Sequence, residues 1–307
     1  MQILNKKKIL IVGGTGFIGY HLAKRSIEKG LIVTSVSSGP PKKTRFIKNV
    51  KYILCDISEK KILKKKIKST YDFVVNLSGY VDHSNKKKTF VSHYNGCKNL
   101  TEIFKKEPPL SFIQMGSSVE YGEKKSPQKE TFKCNVTSNK STYGKAKLLA
   151  TNYLMGLYKK NKFPSIVLRL YLAYGPKQDL NRLIPITIMG CLNNKKFNCS
   201  AGKQIRDLIH VDDVVSAIFK LLKNKNATGQ IFNVGSGKPQ MIKTIIEKIR
   251  RISMGGQPQY GMIKLRKDEI IKLYPDIQKI KTKINWKPKV SFDKGLKSTI
   301  KSYKINL

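Results

Sequence analysis

The sequence predicts an α/β fold, a doubly wound parallel sheet followed by a smaller, irregular α/β lobe. Two observations lead to this prediction. From residue 8 to residue 170, short apolar runs alternate with segments of helical periodicity, as expected for parallel strands covered by helices on both faces. Beyond residue 170 this alternation loosens. We therefore place a large domain at residues 1–170 and a second lobe at residues 171–307, with some later segments returning to the large domain.

Apolar runs rich in β-formers mark the strands of the large domain. These runs are Ile9–Val12, Leu31–Val36, Lys51–Leu54, Phe73–Leu77, Phe112–Met115 and Ser165–Leu170. Between them, the helical period is found in Tyr20–Lys29, Ser92–Lys106 and Lys145–Lys160. In the second lobe, residues 181–194 and 210–223 are predicted helices, and residues 229–237 form a strand that ends in a turn.

The composition is strongly basic, with 61 Lys and Arg residues against 19 Asp and Glu and a formal net charge of +42. A nucleic-acid partner must be considered, because cationic side chains dominate binding to phosphates. However, the lysines are spread along the whole chain, without a zinc-finger pattern or a basic motif interleaved with aromatic residues. We interpret them as a solvated surface that attracts anionic small molecules, and expect no nucleic-acid partner.

The sequence predicts a cytoplasmic protein without a membrane span or a metal site. No apolar run approaches the roughly eighteen residues that a spanning helix needs. The lysine-rich start is followed only by Ile9–Val12 and by no cleavage site, so we do not predict export. The five cysteines are dispersed and form no C-x-x-C pair, which indicates reduced thiols rather than disulfides or zinc ligands.

The segment GGTGFIG places Gly13, Gly16 and Gly19 where the first strand becomes the first helix. Glycines in this position allow a tight turn, close approach of a pyrophosphate and close packing of helix on sheet. The helix N-terminus then offers free N–H groups to the phosphates. This arrangement predicts a Rossmann-type dinucleotide-binding domain. The predicted contacts are Gly13, Thr15, Gly16, Phe17, Ile18 and Gly19.

Further motifs follow in a characteristic order. Asp56 lies in CDIS, Asn76–Gly79 is NLSG, Ser117–Gly122 is SSVEYG, and YGKAK supplies Tyr143 and Lys147. RLYLAYGP, RDLIHVDDV and FNVGSG come later. Over nearly the full chain this order resembles the nucleotide-sugar branch of the extended short-chain dehydrogenase/reductases, the NAD-dependent epimerase/dehydratase family. The resemblance implies cofactor contacts from Asp56, Ile57, Leu77, Ser78, Gly79, Tyr143, Lys147 and Tyr171.

Tyr143 and Lys147 lie four residues apart on a predicted helix, so they project from one face. A free tyrosine has a pKa near ~10, and we expect the Lys147 ammonium to lower the pKa of Tyr143 toward neutrality. The resemblance adds Ser117 as a donor to the substrate oxygen, and gives Lys147 a contact to the nicotinamide ribose. The expected chemistry is proton transfer at a sugar hydroxyl coupled to hydride transfer.

Two further comparisons with the family narrow the reaction and the cofactor. Its 4,6-dehydratases carry an Asp–Glu pair where this chain has Ser118 and Val119, so we do not expect dehydratase activity. NAD-binding members carry an acid at the end of the second strand. Here Ser37 and Ser38 occupy that place, and Lys42, Lys43 and Arg45 follow. Hydroxyls and cations suit a 2′-phosphate, so the sequence favours NADP(H) over NAD(H).

The resemblance also implies substrate contacts in the second lobe. Arg206 and Arg266 match positions that hold a substrate diphosphate, and guanidinium groups suit phosphate oxygens. Asn181 matches the loop beside the nucleotide base, and Ser118 is a further candidate near the sugar. Two departures stand out: Leu172 replaces a polar substrate contact, and His93 replaces an asparagine. The resulting candidate substrate residues are Ser118, His93, Asn181, Arg206 and Arg266.

Two enzyme functions fit almost equally well, and both act at the sugar C4. Residues 191–215 are similar to enzymes of the CDP-abequose synthase type, which slightly favours a 4-ketoreductase of a nucleoside-diphosphate 4-keto-6-deoxyhexose. Residues 273–296 resemble epimerases of the UDP-glucose 4-epimerase type, which keeps an NDP-hexose 4-epimerase as the alternative. A third hypothesis is a non-catalytic dinucleotide sensor or nucleic-acid binder. The expected partners are a nucleotide sugar and, from the family's habit, a second copy of the chain.

Overall fold

Seven parallel strands form the main sheet of the protein. The computed structural model describes residues 6–68, 70–80, 82, 84–265 and 269–304. The strands are β1 (Lys8–Val12), β2 (Ile32–Ser37), β3 (Val50–Leu54), β4 (Phe73–Asn76), β5 (Ser111–Ser117), β6 (Ser165–Leu170), β7 (Leu172–Tyr174), β8 (Lys196–Asn198), β9 (Ile205–Arg206), β10 (Leu208–His210), β11 (Ile231–Val234), β12 (Gln240–Met241), β13 (Gln257–Gln259) and β14 (Lys272–Leu273). The main sheet has the order β11-β6-β5-β4-β1-β2-β3.

Helices cover both faces of this sheet and build most of the smaller lobe. They are α1 (Phe17–Glu28), α2 (Lys60–Lys66), α3 (Lys86–Phe90), α4 (Gly96–Ile103), α5 (Thr142–Asn161), α6 (Leu183–Leu192), α7 (Val211–Leu222), α8 (Ile242–Ser253), α9 (Gln278–Ile284) and α10 (Phe292–Lys304). None of the helices in the described ranges is long and apolar enough to cross a membrane.

The apolar run of β1 shows why the sheet needs helices on two sides. Ile9 and Ile11 belong to one buried cluster, which also includes residues of α1 and α7. Leu10 and Val12 belong to a second cluster on the other face, with residues of α4 and α5. Successive side chains of a strand point to opposite faces, so a continuous apolar run requires cover on both. The predicted doubly wound fold is confirmed.

Two features differ from the sequence-based expectation or refine it. The helix predicted at Ser92–Lys106 begins earlier, at Lys86, and is interrupted by a π-helical turn at Val91–Asn95 before α4 ends at Ile103. Strand β11 pairs with β6 at the edge of the main sheet, although it lies beyond residue 170. The division at residue 170 stays a prediction, and the main sheet draws six strands from before it and one strand, β11, from after it.

The second lobe has its own apolar core between α6, α8 and α10. Ile188, Ile245, Ile249 and Leu296 are fully buried there. Three small sheets complete the lobe and join it to the large domain: β7 with β10, β8 with β13, and β12-β9-β14.

Candidate active site

The order of the main sheet reverses between β1 and β4, and ligands of doubly wound proteins bind where such a reversal leaves a crevice. The loop after β1 starts with Gly13, whose φ is +82°. A Cβ at Gly13 would lie 3.0 Å from the carbonyl carbon of Leu77 and 3.0 Å from the nitrogen of Ser78. The glycine turn is therefore packed directly against the end of β4.

The other two glycines of the motif have different surroundings. A Cβ at Gly19 would lie 2.2 Å from the Gly13 carbonyl oxygen, so this residue lets α1 pack closely on the turn. A Cβ at Gly16 would meet only that same oxygen, at 3.2 Å. Gly16 is the N-cap of α1, and no side chain caps the helix. Exposed backbone at a helix N-terminus, without a side chain in front of it, fits a dinucleotide pyrophosphate.

We expect Gly16→Val to weaken dinucleotide binding by about tenfold or more, because the added side chain projects into the space in front of the helix N-terminus. Fluorescence titration of the purified variant with NAD⁺ and NADP⁺ measures this. Gly39→Val is a suitable control, since a Cβ there would meet no atom within 4 Å. Equal affinities in wild type and Gly16→Val would contradict the loop assignment.

The end of β2 supports the glycine turn. The Ser37 hydroxyl accepts a hydrogen bond from the Thr15 backbone N–H, with 3.2 Å between nitrogen and oxygen. Ser38, the next residue, is exposed. At the end of β3, Asp56 is exposed and Ile57 is buried. Phe17 and Ile18, in the first turn of α1, are partly buried. These predicted cofactor residues thus line or support the same edge of the sheet.

His93 joins the end of β4 to the predicted catalytic tyrosine. A Cβ at Gly79 would lie 1.7 Å from the His93 ring, so only glycine fits there. His93 lies in the π-helical turn, and its Nε2 is 3.2 Å from the Tyr80 carbonyl oxygen. Its ring centroid is 4.9 Å from that of Tyr143, in an edge-to-face arrangement. The substrate contact that the sequence predicts for His93 stays a prediction, and its ring packs against Tyr143.

The structure brings Ser117, Tyr143 and Lys147 together. Ser117 ends β5, and its side chain is hydrogen-bonded to the Tyr143 side chain. The N-cap Ser141 starts α5 by accepting from the Gly144 N–H, which fixes the turn that carries Tyr143. Lys147, one turn later, is buried, with its Nζ 5.8 Å from the centroid of the Tyr143 ring.

The expectation that the pKa of Tyr143 is lowered was wrong. The pKa of Tyr143 is raised above its usual value, because the protein atoms packed around the phenol desolvate its charged form; the bond to Ser117 opposes this. Burial also lowers the pKa of Lys147, to about 8. The Lys147 ammonium donates to the Met115 carbonyl oxygen at 2.7 Å. Its charge is therefore directed at β5 more than at the phenol.

The sequence analysis missed a buried ion pair beneath this group. Glu120 and Arg169 are 2.9 Å apart, and their side chains are 0% and 3% exposed. Glu120 also accepts from the Ser117 backbone N–H and the Thr151 hydroxyl, each at 2.8 Å. Ser117 and Glu120 form a capping box, and their spacing, Ser-x-x-Glu, could have indicated this from the sequence. Glu120 thus fixes the backbone of Ser117.

Arg182 is a second residue that the sequence analysis missed. It is the exposed N-cap of α6 in the second lobe, and its charge acts to lower the pKa of Tyr143. The predicted substrate residue Asn181 precedes it and is also exposed. Ser118, in contrast, is only 5% exposed in the turn after Ser117. The start of α6 is therefore near enough to Tyr143 for the Arg182 charge to act on the phenol.

Other predicted residues have partners inside the protein. The Arg206 guanidinium is paired with Glu269 and also donates to the Ile271 carbonyl oxygen at 3.1 Å. Tyr171 is 3% exposed, and its hydroxyl donates to Gln128 at 2.7 Å. The cofactor contact of Tyr171 and the diphosphate contact of Arg206 stay predictions. Arg266 lies outside the described residues.

Two of the three cations after β2 are paired within the protein. Lys42 and Arg45 are both paired with Asp179, a residue of the loop between β7 and α6. Because of this pairing, Lys42 and Arg45 give less support to the predicted binding of a 2′-phosphate. The hydroxyls of Ser37 and Ser38 still support it. The preference for NADP(H) over NAD(H) stays a prediction.

The main sheet and the glycine turn define a Rossmann-type dinucleotide-binding protein, with a serine, a tyrosine and a lysine grouped beside the turn. The chain belongs to the NAD-dependent epimerase/dehydratase family, whose model matches residues 9–235. It is an enzyme of the nucleotide-sugar branch of the extended short-chain dehydrogenase/reductases, which use NAD or NADP. The predicted family is confirmed.

Relatives within this branch carry out different reactions. dTDP-D-glucose 4,6-dehydratase of Dictyostelium discoideum is 29% identical over 279 residues, which cover 81% of this chain but only 62% of that protein. CDP-abequose synthase of Salmonella muenchen is 24% identical over 328 residues, 96% of this chain and 97% of the synthase. The structure of UDP-glucose 4-epimerase from Thermotoga maritima with UDP-glucose superposes with a TM-score of 0.91, at 26% identity over 97% of this chain and 99% of that one. Family membership alone does not fix the reaction.

Proposed function

We propose that the chain catalyses hydride transfer at C4 of a nucleoside-diphosphate hexose, with Tyr143 as the proton-transferring residue. The observation that carries this proposal is the packing of Tyr143 with Lys147 and His93 beside the glycine turn: Nζ of Lys147 is 5.8 Å and the His93 ring centroid 4.9 Å from the centroid of the Tyr143 ring. A continuous series of contacts joins the two places: Gly13 packs on Leu77 and Ser78, Gly79 on His93, and His93 on Tyr143.

A bound nicotinamide would supply or accept the hydride at the sugar carbon. In the reductive direction, the Tyr143 hydroxyl donates its proton to the oxygen that becomes the new sugar hydroxyl. The raised pKa of Tyr143 keeps this proton in place at neutral pH. In the oxidative direction the phenolate takes the proton back. In this proposal Ser117 would hold the sugar oxygen in line with the Tyr143 oxygen, and Lys147 would hold the nicotinamide ribose, as the family resemblance implies.

The surroundings of Ser118 argue against a 4,6-dehydratase. That reaction needs an acid and a base near the sugar, where this chain has Ser118 and Val119. The next residue, Glu120, is a carboxylate, but its side chain is fully buried and paired with Arg169. It cannot exchange a proton with a substrate while it holds that ion pair. We therefore propose a reductase or an epimerase, although a dehydratase is among the relatives.

Each of the two remaining reactions, ketoreduction and epimerisation, is favoured by one observation. The absence of an acid at the end of β2 leaves Ser37 and Ser38 beside the turn, which slightly favours an NADPH-dependent ketoreductase, even though Asp179 pairs with two of the cations that follow. The full-length likeness to a UDP-glucose 4-epimerase favours an epimerase with tightly held NAD. In this proposal the sugar and its base are recognised near Asn181 and Arg182. A cytoplasmic homodimer is part of this proposal.

Turnover assays with purified protein separate the two reactions. We expect oxidation of NADPH, followed by its absorbance, when an NDP-4-keto-6-deoxyhexose is supplied; this outcome identifies the ketoreductase. Interconversion of UDP-hexoses without added reductant, together with protein-bound NAD, identifies the epimerase. Absence of both reactions across a panel of UDP-, CDP- and dTDP-sugars, with salt-sensitive binding of duplex DNA, would overturn the proposed function.

A further inference from the structure

The second lobe holds two cations of the large domain through one carboxylate. The Lys42 ammonium lies 2.7 Å from Oδ1 of Asp179, and Nη2 of Arg45 lies 3.0 Å from the same oxygen. Burial acts to raise the pKa of Asp179. The bonds from the two cations outweigh this effect and hold that pKa below its usual value. Asp179 therefore carries its charge throughout the physiological pH range.

This cluster lies close to the dinucleotide turn. Arg45 is 4% exposed and donates through Nε to the Lys177 carbonyl oxygen at 3.0 Å. The Lys177 ammonium in turn donates to the Tyr20 hydroxyl at 3.0 Å and lies above the Tyr20 ring. Tyr20 follows Gly16 by one helical turn, and such residues are about 5–6 Å apart. The segment 42–45 is thus anchored one turn away from the helix N-terminus.

The chain between β2 and this cluster leaves space beside the turn. Ser37 supports Thr15 of the glycine turn, and Ser38 is exposed. A Cβ at Gly39 would meet no atom within 4 Å. The end of the second strand is where a Rossmann domain meets the adenosine ribose, and a 2′-phosphate there requires cations. Three cations follow in the sequence, Lys42, Lys43 and Arg45, and Asp179 holds the first and the last of them.

We propose that Asp179 is a specificity-determining residue for the cofactor, which holds Lys42 and Arg45 away from the adenosine ribose and so disfavours a 2′-phosphate relative to a 2′-hydroxyl. The proposal rests on the dinucleotide binding of the proposed function. Lys42 is the exposed member of the group, with 67% of its side chain accessible to solvent. Arg45 stays fixed by Lys177.

Titration of the free protein with NADP⁺ and NAD⁺, in wild type and Asp179→Asn, tests the proposal. Asparagine keeps the shape and removes the charge. We expect the affinity for NADP⁺ to rise about tenfold, the scale of one charge-assisted hydrogen bond, while that for NAD⁺ changes less than about twofold. Adding Lys42→Ala to Asp179→Asn should remove most of the gain. Lys42→Ala alone should change neither affinity, because wild-type Lys42 is held by Asp179.

Asp72→Asn is the matched control. Asp72 is paired with Lys7 at 2.8 Å, at the start of β1 and so at the opposite edge of the sheet. This variant makes the same change in net charge and should leave the affinity ratio unaltered. An unchanged ratio in Asp179→Asn, with a wild-type unfolding transition, would refute the role of Asp179 even if the enzyme turns over sugars. Loss of NADP⁺ affinity in Lys42→Ala alone would refute it independently. Binding of neither dinucleotide by the wild type would refute the proposed function as well.

Discussion

Replacing Tyr143 by phenylalanine should lower the turnover number by about 10²–10⁴-fold, the usual contribution of a positioned acid–base group. The variant removes one oxygen, which is hydrogen-bonded to Ser117, and keeps the ring that packs on His93. The affinity for NAD⁺ or NADP⁺ should therefore stay within a few-fold of wild type. Steady-state kinetics and dinucleotide titration of the same preparation measure both quantities. A turnover number near that of wild type would remove Tyr143 from the mechanism.

The pH dependence gives a second test of Tyr143. Oxidation of a sugar hydroxyl requires the phenolate, and burial raises the pKa of Tyr143. The oxidative rate should therefore increase with pH through the neutral and mildly alkaline range, while the reductive rate, which uses the protonated form, should not increase. The residual rate of Tyr143→Phe should lose this dependence. An oxidative rate that is flat in the wild type would show that another group transfers the proton.

Replacing Glu120 by alanine should destabilise the protein by about 3–5 kcal/mol, because removing one partner of a buried ion pair leaves the other charge without compensation. The Arg169 side chain is 3% exposed, so its guanidinium cannot be hydrated unless β6 rearranges. The Ser117 N–H and the Thr151 hydroxyl lose the same acceptor. Urea unfolding, followed by circular dichroism, measures the loss.

An exposed ion pair serves as the control for Glu120. Glu123 pairs with Lys140 at 2.6 Å, but both side chains are more than half exposed. Glu123→Ala should therefore change the free energy of unfolding by less than about 1 kcal/mol. Glu120→Gln keeps the side-chain size and one acceptor oxygen, and should fall between the two alanine variants. If Glu120→Ala is as stable as Glu123→Ala, the buried pair does not stabilise the fold.

Most of the fold could be predicted because apolar runs report burial directly. The run Ile9–Val12 has no polar side chain to turn toward water, which identifies a strand covered on both faces. The three glycines of the motif were informative for a different reason. Each occupies a place where a Cβ is excluded or would enter the space expected for the dinucleotide. The π-helical turn at Val91–Asn95 was not predictable, because its apolar spacing does not differ enough from that of an α-helix.

The electrostatics of the site could not be read from residue types. Lys147 stands four residues after Tyr143 as predicted, but the carbonyl oxygen that orients its ammonium belongs to Met115, a residue of a different strand. Likewise, Lys42 and Arg45 look like phosphate ligands until Asp179, more than a hundred residues away, is brought beside them by the fold. Long-range pairs of charges set the direction of such effects, and a single sequence does not show which residues meet.

The position of β11 has a consequence for biosynthesis. This strand pairs with β6 from Ile231↔Val167 to Val234↔Leu170, so the last strand of the central sheet is made some sixty residues after its neighbour. During translation, β6 leaves the ribosome with one row of backbone N–H and C=O groups unpaired, and it stays so until residue 234 has emerged. An unprotected strand edge is a template for pairing with another chain. Nascent chains stalled with β6 outside the ribosome and residue 234 still inside it should therefore associate with each other or with chaperones, whereas chains from which residue 234 has emerged should not.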